Sequence, residues 1–171
     1  SNNNIMVHGI PNDIPLKEDD IISIDLGITI DGFIGDVAKT KEVQDNIFKN
    51  LDKPVTKSIL DWGWIPSPVA WKSWLQPKLI SACEMALYAG IKQAKKGNKL
   101  SNISRTIYNI AAEHKFLVPT NYGGHGINRH TLHAQPFIPN FTDYKNDVTL
   151  YPGMVLAIEP MFIDAKSNET K

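Results

Sequence analysis

"IISIDLGITIDGFIGDVAKT", residues 21–40, alternates apolar residues with small or polar ones along most of its length. Ile22, Ile24, Leu26, Ile28 and Ile30 share one face, and Ser23, Asp25, Gly27 and Thr29 share the other. A period of two is the mark of a strand. Asp31-Gly32 then supplies a two-residue hairpin turn, and "FIGDVAKT" reads as the returning strand. A hairpin centred on that turn places Asp25 opposite Ala38 and Asp36 opposite Gly27. The two acids become diagonal neighbours on one face, with Cβ atoms roughly 7–8 Å apart or a little less. A carboxylate in a segment that reads as buried strand costs several kcal/mol unless it is paired or bound to a cation. Two of them facing the same space suggest a cation between them.

Outward from this hairpin, the chain of 171 residues is long enough for one domain with a real core, at 42% hydrophobic content. Lys+Arg and Asp+Glu both number 18, so no charge excess points to nucleic acid or to an anionic membrane. No apolar run reaches the length of a membrane span, and no secretory signal is visible at the start. The single cysteine, Cys83, excludes an internal disulfide framework. These features suggest a soluble, cytoplasmic protein. The chain opens in "SNNNIMV" without an initiating Met and stops in polar "DAKSNETK" after an apolar segment. The expectation is a single catalytic domain, 1–171, incomplete at both ends.

"PKLISACEMALYAGIKQAKKG" reads as a helix with Pro77 in its first turn and Gly97 at its end, and with Leu79, Cys83, Leu87 and Ile91 as its apolar stripe. A second helix follows Ser101 as N-cap, with Ile103, Ile107, Ile110 and Ala111 inward. "FLVPTNYGGHGI" is extended, and "LYPGMVLAIEPMFI" is a turn at Pro152-Gly153 followed by a strand carrying Glu159. Hairpin, helices and further strands in that order give an α+β fold rather than repeated βαβ units. Residues 41–76 hold all four tryptophans, Trp62, Trp64, Trp71 and Trp74, with Pro66 and Pro68 among them, and read as an insertion forming a surface lobe.

The candidates for chemistry are His8, Asp25, Asp36, His125, His133 and Glu159. Carboxylates with one imidazole suit Mn²⁺, Fe²⁺, Co²⁺ or Zn²⁺. Two such ions about 3.5–4 Å apart can share a bridging carboxylate, make a hydroxide near neutral pH and clamp a tetrahedral intermediate. In "GGHGI", His125 is flanked by glycines that present it on accessible backbone. His130 reads as a solvated loop residue, His114 as a partner for a helix C-terminus, and Cys83 as core. The HExxH helix, the CxxC pair, the GxSxG elbow and the P-loop are all absent from the sequence.

"VHGIP", "IDLGITIDGFIGDVAKT", "GGHGI" and "VLAIEPM", in this order, resemble the signature stretches of type I methionine aminopeptidases. The resemblance covers most of the chain outside 41–76. It implies the pita-bread fold, a pseudo-symmetric α+β domain whose antiparallel sheet carries helices on its outer face. It implies a centre of two divalent metal ions (Co, Mn, Fe or Zn) and removal of the initiator Met from nascent polypeptides, with the ribosome as a further partner. By motif, Asp25 resembles the bidentate ligand of one metal and Asp36 the bridging carboxylate. His125 and Glu159 resemble ligands of the other metal. His8 and His133 resemble the two histidines that contact substrate. The family's fifth ligand, a second Glu in a later strand, has no counterpart before the sequence stops. Asn128 stands where the family has Gly, Ala134-Gln135 replace an acidic pair, and the loop leading to His133 is one residue longer, so His130 competes with His133 for that position. Two alternatives share the fold: an Xaa-Pro aminopeptidase or prolidase, and a non-enzymatic binding module.

Overall fold

The computed structural model describes residues 1, 5–10, 12–43, 76–142, 145 and 147–165. The stretch 41–76 read as an insertion lies outside these residues except at its two ends. In chain order the elements are β1 (Ile21–Ile30), β2 (Phe33–Glu42), α1 (Gln76–Gln93), α2 (Leu100–Glu113), β3 (Phe116–Leu117), β4 (Gly123–Asn128), β5 (Thr131–Pro139), β6 (Leu156–Ala157) and β7 (Ile163–Asp164). Every strand pair is antiparallel, in three groups: β1–β2, β3–β7, and β5–β4–β6. The class is α+β, as the order of elements in the sequence implies.

The β1–β2 register is the one dictated by Asp31-Gly32: Asp25 faces Ala38 and Asp36 faces Gly27. Both turn residues have positive φ, 52° and 80°, the backbone that a right-twisted two-residue hairpin requires. The expectation that the apolar face is buried needs correcting. Ile24, Leu26, Ile28, Ile30, Phe33 and Val37 are each more than half exposed. β1 and β2 form a sheet of their own, and the buried core cluster contains no residue from either strand.

That core lies between the two helices and one face of the β5–β4–β6 sheet. Ile103, Ile107 and Ile138 are fully buried in it. Each removes from water a side chain worth about 1.5–3 kcal/mol. On α1 the buried stripe is Ala82, Ala86 and Gly90. The sequence reading placed it at Leu79, Cys83, Leu87 and Ile91; Leu79 and Cys83 only flank the core, and Ile91 is largely exposed. Small residues win the interface because they let α1 approach α2 closely. A Cβ on Gly90 would already lie 3.4 Å from Ile103 and 3.5 Å from Ile107.

Helix ends also differ from expectation. α1 stops at Gln93, short of Gly97, which turns with φ of 86° and donates its N–H to the Leu150 carbonyl at 2.9 Å. Lys99, not Ser101, occupies the N-cap position of α2, and its side chain makes no cap bond. A distant carboxylate does that work. Asp147 accepts the Ser101 N–H at 2.9 Å and the Ser101 hydroxyl at 2.8 Å. Its charge also suits the positive end of the helix. Among the described residues no helix is long and apolar enough to cross a membrane.

Candidate metal centre

Strand alternation builds the site on the sheet face opposite the helices. Gly124 pairs with Ile138, which lies in the core, so the next pair, His125 and Phe137, points the other way. His125 also pairs with Ala157 of β6. Ile158 packs against the core, and Glu159 therefore returns to the face of His125. The separate β1–β2 hairpin brings Asp36 to the same point. One ligand atom each from Asp36, His125 and Glu159 lie within 4.8 Å of one another.

The glycines flanking His125 serve a purpose other than the one read from sequence. His125 is only 7% exposed, so the backbone does not present it to solvent. A Cβ on Gly124 would lie 2.2 Å from the Ala157 carbonyl oxygen, and one on Gly126 would lie 2.1 Å from that of Gln135. The missing side chains let β5 and β6 close on both edges of β4. Past His125 the β4–β5 register slips, and Gln135 and Pro136 fall in the irregularity. A proline in a strand often marks such a break.

The electrostatics fit a cation. His125 Nδ1 donates to the Gly126 carbonyl oxygen at 2.9 Å, and Nε2 is turned to the cluster. Nε2 is buried without a hydrogen bond, yet lies 3.0 Å from Glu159 Oε1 and 3.4 Å from Asp36 Oδ2. An imidazole nitrogen and two carboxylates converge on one point. A divalent ion resolves that arrangement and matches the donor set, one nitrogen and hard oxygens. Burial raises the Glu159 carboxyl above its ordinary value; His125 opposes this, while the charges of Asp36 and Asp25 add to it.

Of the remaining predicted residues, Asp25 and His133 neighbour this cluster, while His8 and His130 meet other residues. Asp25 is exposed on the hairpin face it shares with Asp36, near enough to act on Glu159 but outside the three-residue group. His133 stands edge-on to His125, ring centroids 4.6 Å apart at 73°. His130 lies instead in the β4–β5 turn, its ring against Gly32. His8 is exposed, with a φ of 56°, and meets the Tyr122 ring edge-on at 6.0 Å.

Sequence reasoning passed over Asn140 and Arg129, and it gave Cys83 a place in the core alone. Asn140, 1% exposed, donates its side-chain N–H to the Glu159 carbonyl at 3.0 Å and so fixes the backbone that aims the acid. A buried Asn closing the apolar run "FIPN" was the available signal. The Cys83 thiol donates to the Pro160 carbonyl at 3.0 Å, one residue beyond Glu159. Arg129 lies over the Phe33 ring, 5.2 Å from its centroid.

The sequence and fold are similar to those of known proteins. The family model of metallopeptidase family M24 matches residues 1–170. Methionine aminopeptidase 1 of Bacillus subtilis is 39% identical over 169 residues, which cover 99% of this chain and 57% of that protein. The crystal structure of methionine aminopeptidase from Rickettsia prowazekii superposes with a TM-score of 0.72 at 32% identity, covering 95% of this chain and 54% of that one. The prolidase from Pyrococcus furiosus gives a TM-score of 0.63 at 20% identity over 92% of this chain and 38% of that one, a likeness of fold alone. The shared architecture is the pita-bread fold. The chain spans little more than half the length of the methionine aminopeptidases it matches. With its motifs, its convergent acids and imidazole, and a family match from end to end, this chain belongs to metallopeptidase family M24.

Proposed function

We propose that the protein is a metal-dependent aminopeptidase that removes an N-terminal methionine. The observation that carries this reading is the convergence of Asp36, His125 and Glu159 around a buried imidazole nitrogen that makes no hydrogen bond. The similarity to methionine aminopeptidases at 39% and 34% identity supports the substrate class.

In this reading Asp36, His125 and Glu159 hold one divalent ion, and Asp36 with Asp25 contributes to a second. Divalent ions held there would lower the pKa of water and polarise a carbonyl. The protein's residues do the rest. The Gly126 carbonyl holds His125 by its Nδ1, which leaves Nε2 facing the ligand position. Glu159, its carboxyl raised by burial, binds an ion only as the carboxylate, so its affinity for the ion falls as pH is lowered. His133, beside His125, would offer one imidazole to the substrate and His8 another. The natural substrates would be nascent chains beginning with Met, met in the cytoplasm at the ribosome.

Metal content and cleavage of Met-Ala-Ser should be measured together, with Mn²⁺, Fe²⁺, Co²⁺ and Zn²⁺ supplied in turn. Two bound ions and free Met are the expected result. Cleavage of an Xaa-Pro peptide instead would assign the protein to the prolidase-like activity of the same fold. Absence of both metal and cleavage would make it a binding module.

A further inference from the structure

The two hairpins meet at their tips as well as at the metal cluster. The β1–β2 turn is Asp31-Gly32, and the β4–β5 turn is Arg129-His130, where His130 has a φ of 67°. The His130 N–H donates to the Gly32 carbonyl at 3.1 Å. Arg129 Nη2 donates to the Asp31 carbonyl at 3.3 Å, and its guanidinium covers Phe33. The His130 ring fills the space that a side chain on Gly32 would take, since a Cβ there would lie 2.2 Å from Cε1.

We infer that Arg129 and His130 are positioning residues for the metal centre. The β1–β2 hairpin shares no ladder with the β5–β4–β6 sheet, so pairing does not set its distance from His125. Asp36 lies four residues from Gly32, roughly 13 Å along an extended strand. His125 lies five residues from His130, roughly 16 Å. The like charges of Asp25 and Asp36 bear on Glu159, and their repulsion works against close approach of the hairpin to β4. The docked tips oppose that repulsion. They hold Asp36 against His125, so the ion meets a site already formed rather than one it must assemble. A cation–π contact, two hydrogen bonds and a ring seated on a glycine, all at one end, form a latch of this kind.

The inference rests on the metal reading of Asp36, His125 and Glu159, and the test separates the two. Mn²⁺ is titrated calorimetrically into the full chain carrying Arg129→Ala, Arg129→Lys or His130→Asn, alongside the unsubstituted protein. Asn tolerates positive φ, so His130→Asn removes the ring and leaves the turn. Arg129→Ala and His130→Asn are expected to keep the circular dichroism of the parent and to bind Mn²⁺ about tenfold more weakly, in the range seen when groups supporting a ligand are removed. Arg129→Lys, which keeps a cation over Phe33, should recover most of the affinity. Parental affinity in Arg129→Ala and His130→Asn overturns the inference. Failure of the unsubstituted protein to bind Mn²⁺ overturns the metal reading, and the latch with it. Should Arg129→Ala lose its fold, Phe33→Leu removes only the ring beneath the guanidinium. The same weakening is then expected, and unchanged affinity overturns the latch.

Discussion

Asp36 Oδ2 and His125 Nε2 approach to 3.4 Å across two sheets that share no ladder. The contact is therefore made by side chains, and it depends on what lies between them. Asp36→Asn keeps the shape but removes the charge and half of the acceptor capacity. It is expected to abolish Met release and to weaken divalent binding by at least about tenfold. Calorimetry and a peptide assay on the same sample check both; full activity in the variant would remove Asp36 from the site.

Gly124 carries the closure of β6 onto β4. In Gly124→Ala the new methyl would have to displace the Ala157 carbonyl, 2.2 Å away. Overpacking of this kind costs about 1–3 kcal/mol. Because β6 leads directly to Glu159, metal affinity should fall as well. Urea unfolding and Mn²⁺ titration measure the two effects, and an unchanged urea midpoint would contradict the packing described.

Asn140 should act in the same direction by a different route. Asn140→Ala leaves the Glu159 carbonyl without its donor and costs about 1–3 kcal/mol. The denaturation midpoint is the direct measure. A variant as stable as the parent would mean that water replaces the amide at no cost.

Cys83 makes the pH prediction. Burial pushes its thiol up from 9.0 to about 12. The folded state then holds a proton that the unfolded chain releases, so stability falls as pH rises between those two values and is unaffected below them. At pH 8 the native thiol should resist iodoacetamide and react quickly once the protein is unfolded in urea. Rapid labelling of the native protein would show the thiol to be more open than described here.

The hairpin register was legible because Asp31-Gly32 determines it chemically, and with it the shared face of Asp25 and Asp36. His125 and Glu159 stood out because each interrupts an apolar or glycine-rich run, and the structure brings the two together. The stripe of α1 was not, since two sets of residues satisfy the same helical period and only close packing against Ile103 and Ile107 selects the smaller set. The N-terminus of α2 was misread for a similar reason: its cap, Asp147, is remote in sequence. The exposure of the hairpin's apolar face could not be read from alternation, which reports two faces without saying what covers either.

Alternation along β4 and through residues 157–159 makes each segment serve two customers, with core on one side and chemistry on the other. These segments behave like text read in a frame of two. Deleting one residue before His125 would turn the imidazole into the helices and swing a glycine into the cluster. Insertions and deletions can thus survive only in the connections between elements, while the strands tolerate substitution alone. On this plan the links between elements are free to change length, while spacing is held wherever His125 or Glu159 neighbours a core-facing residue.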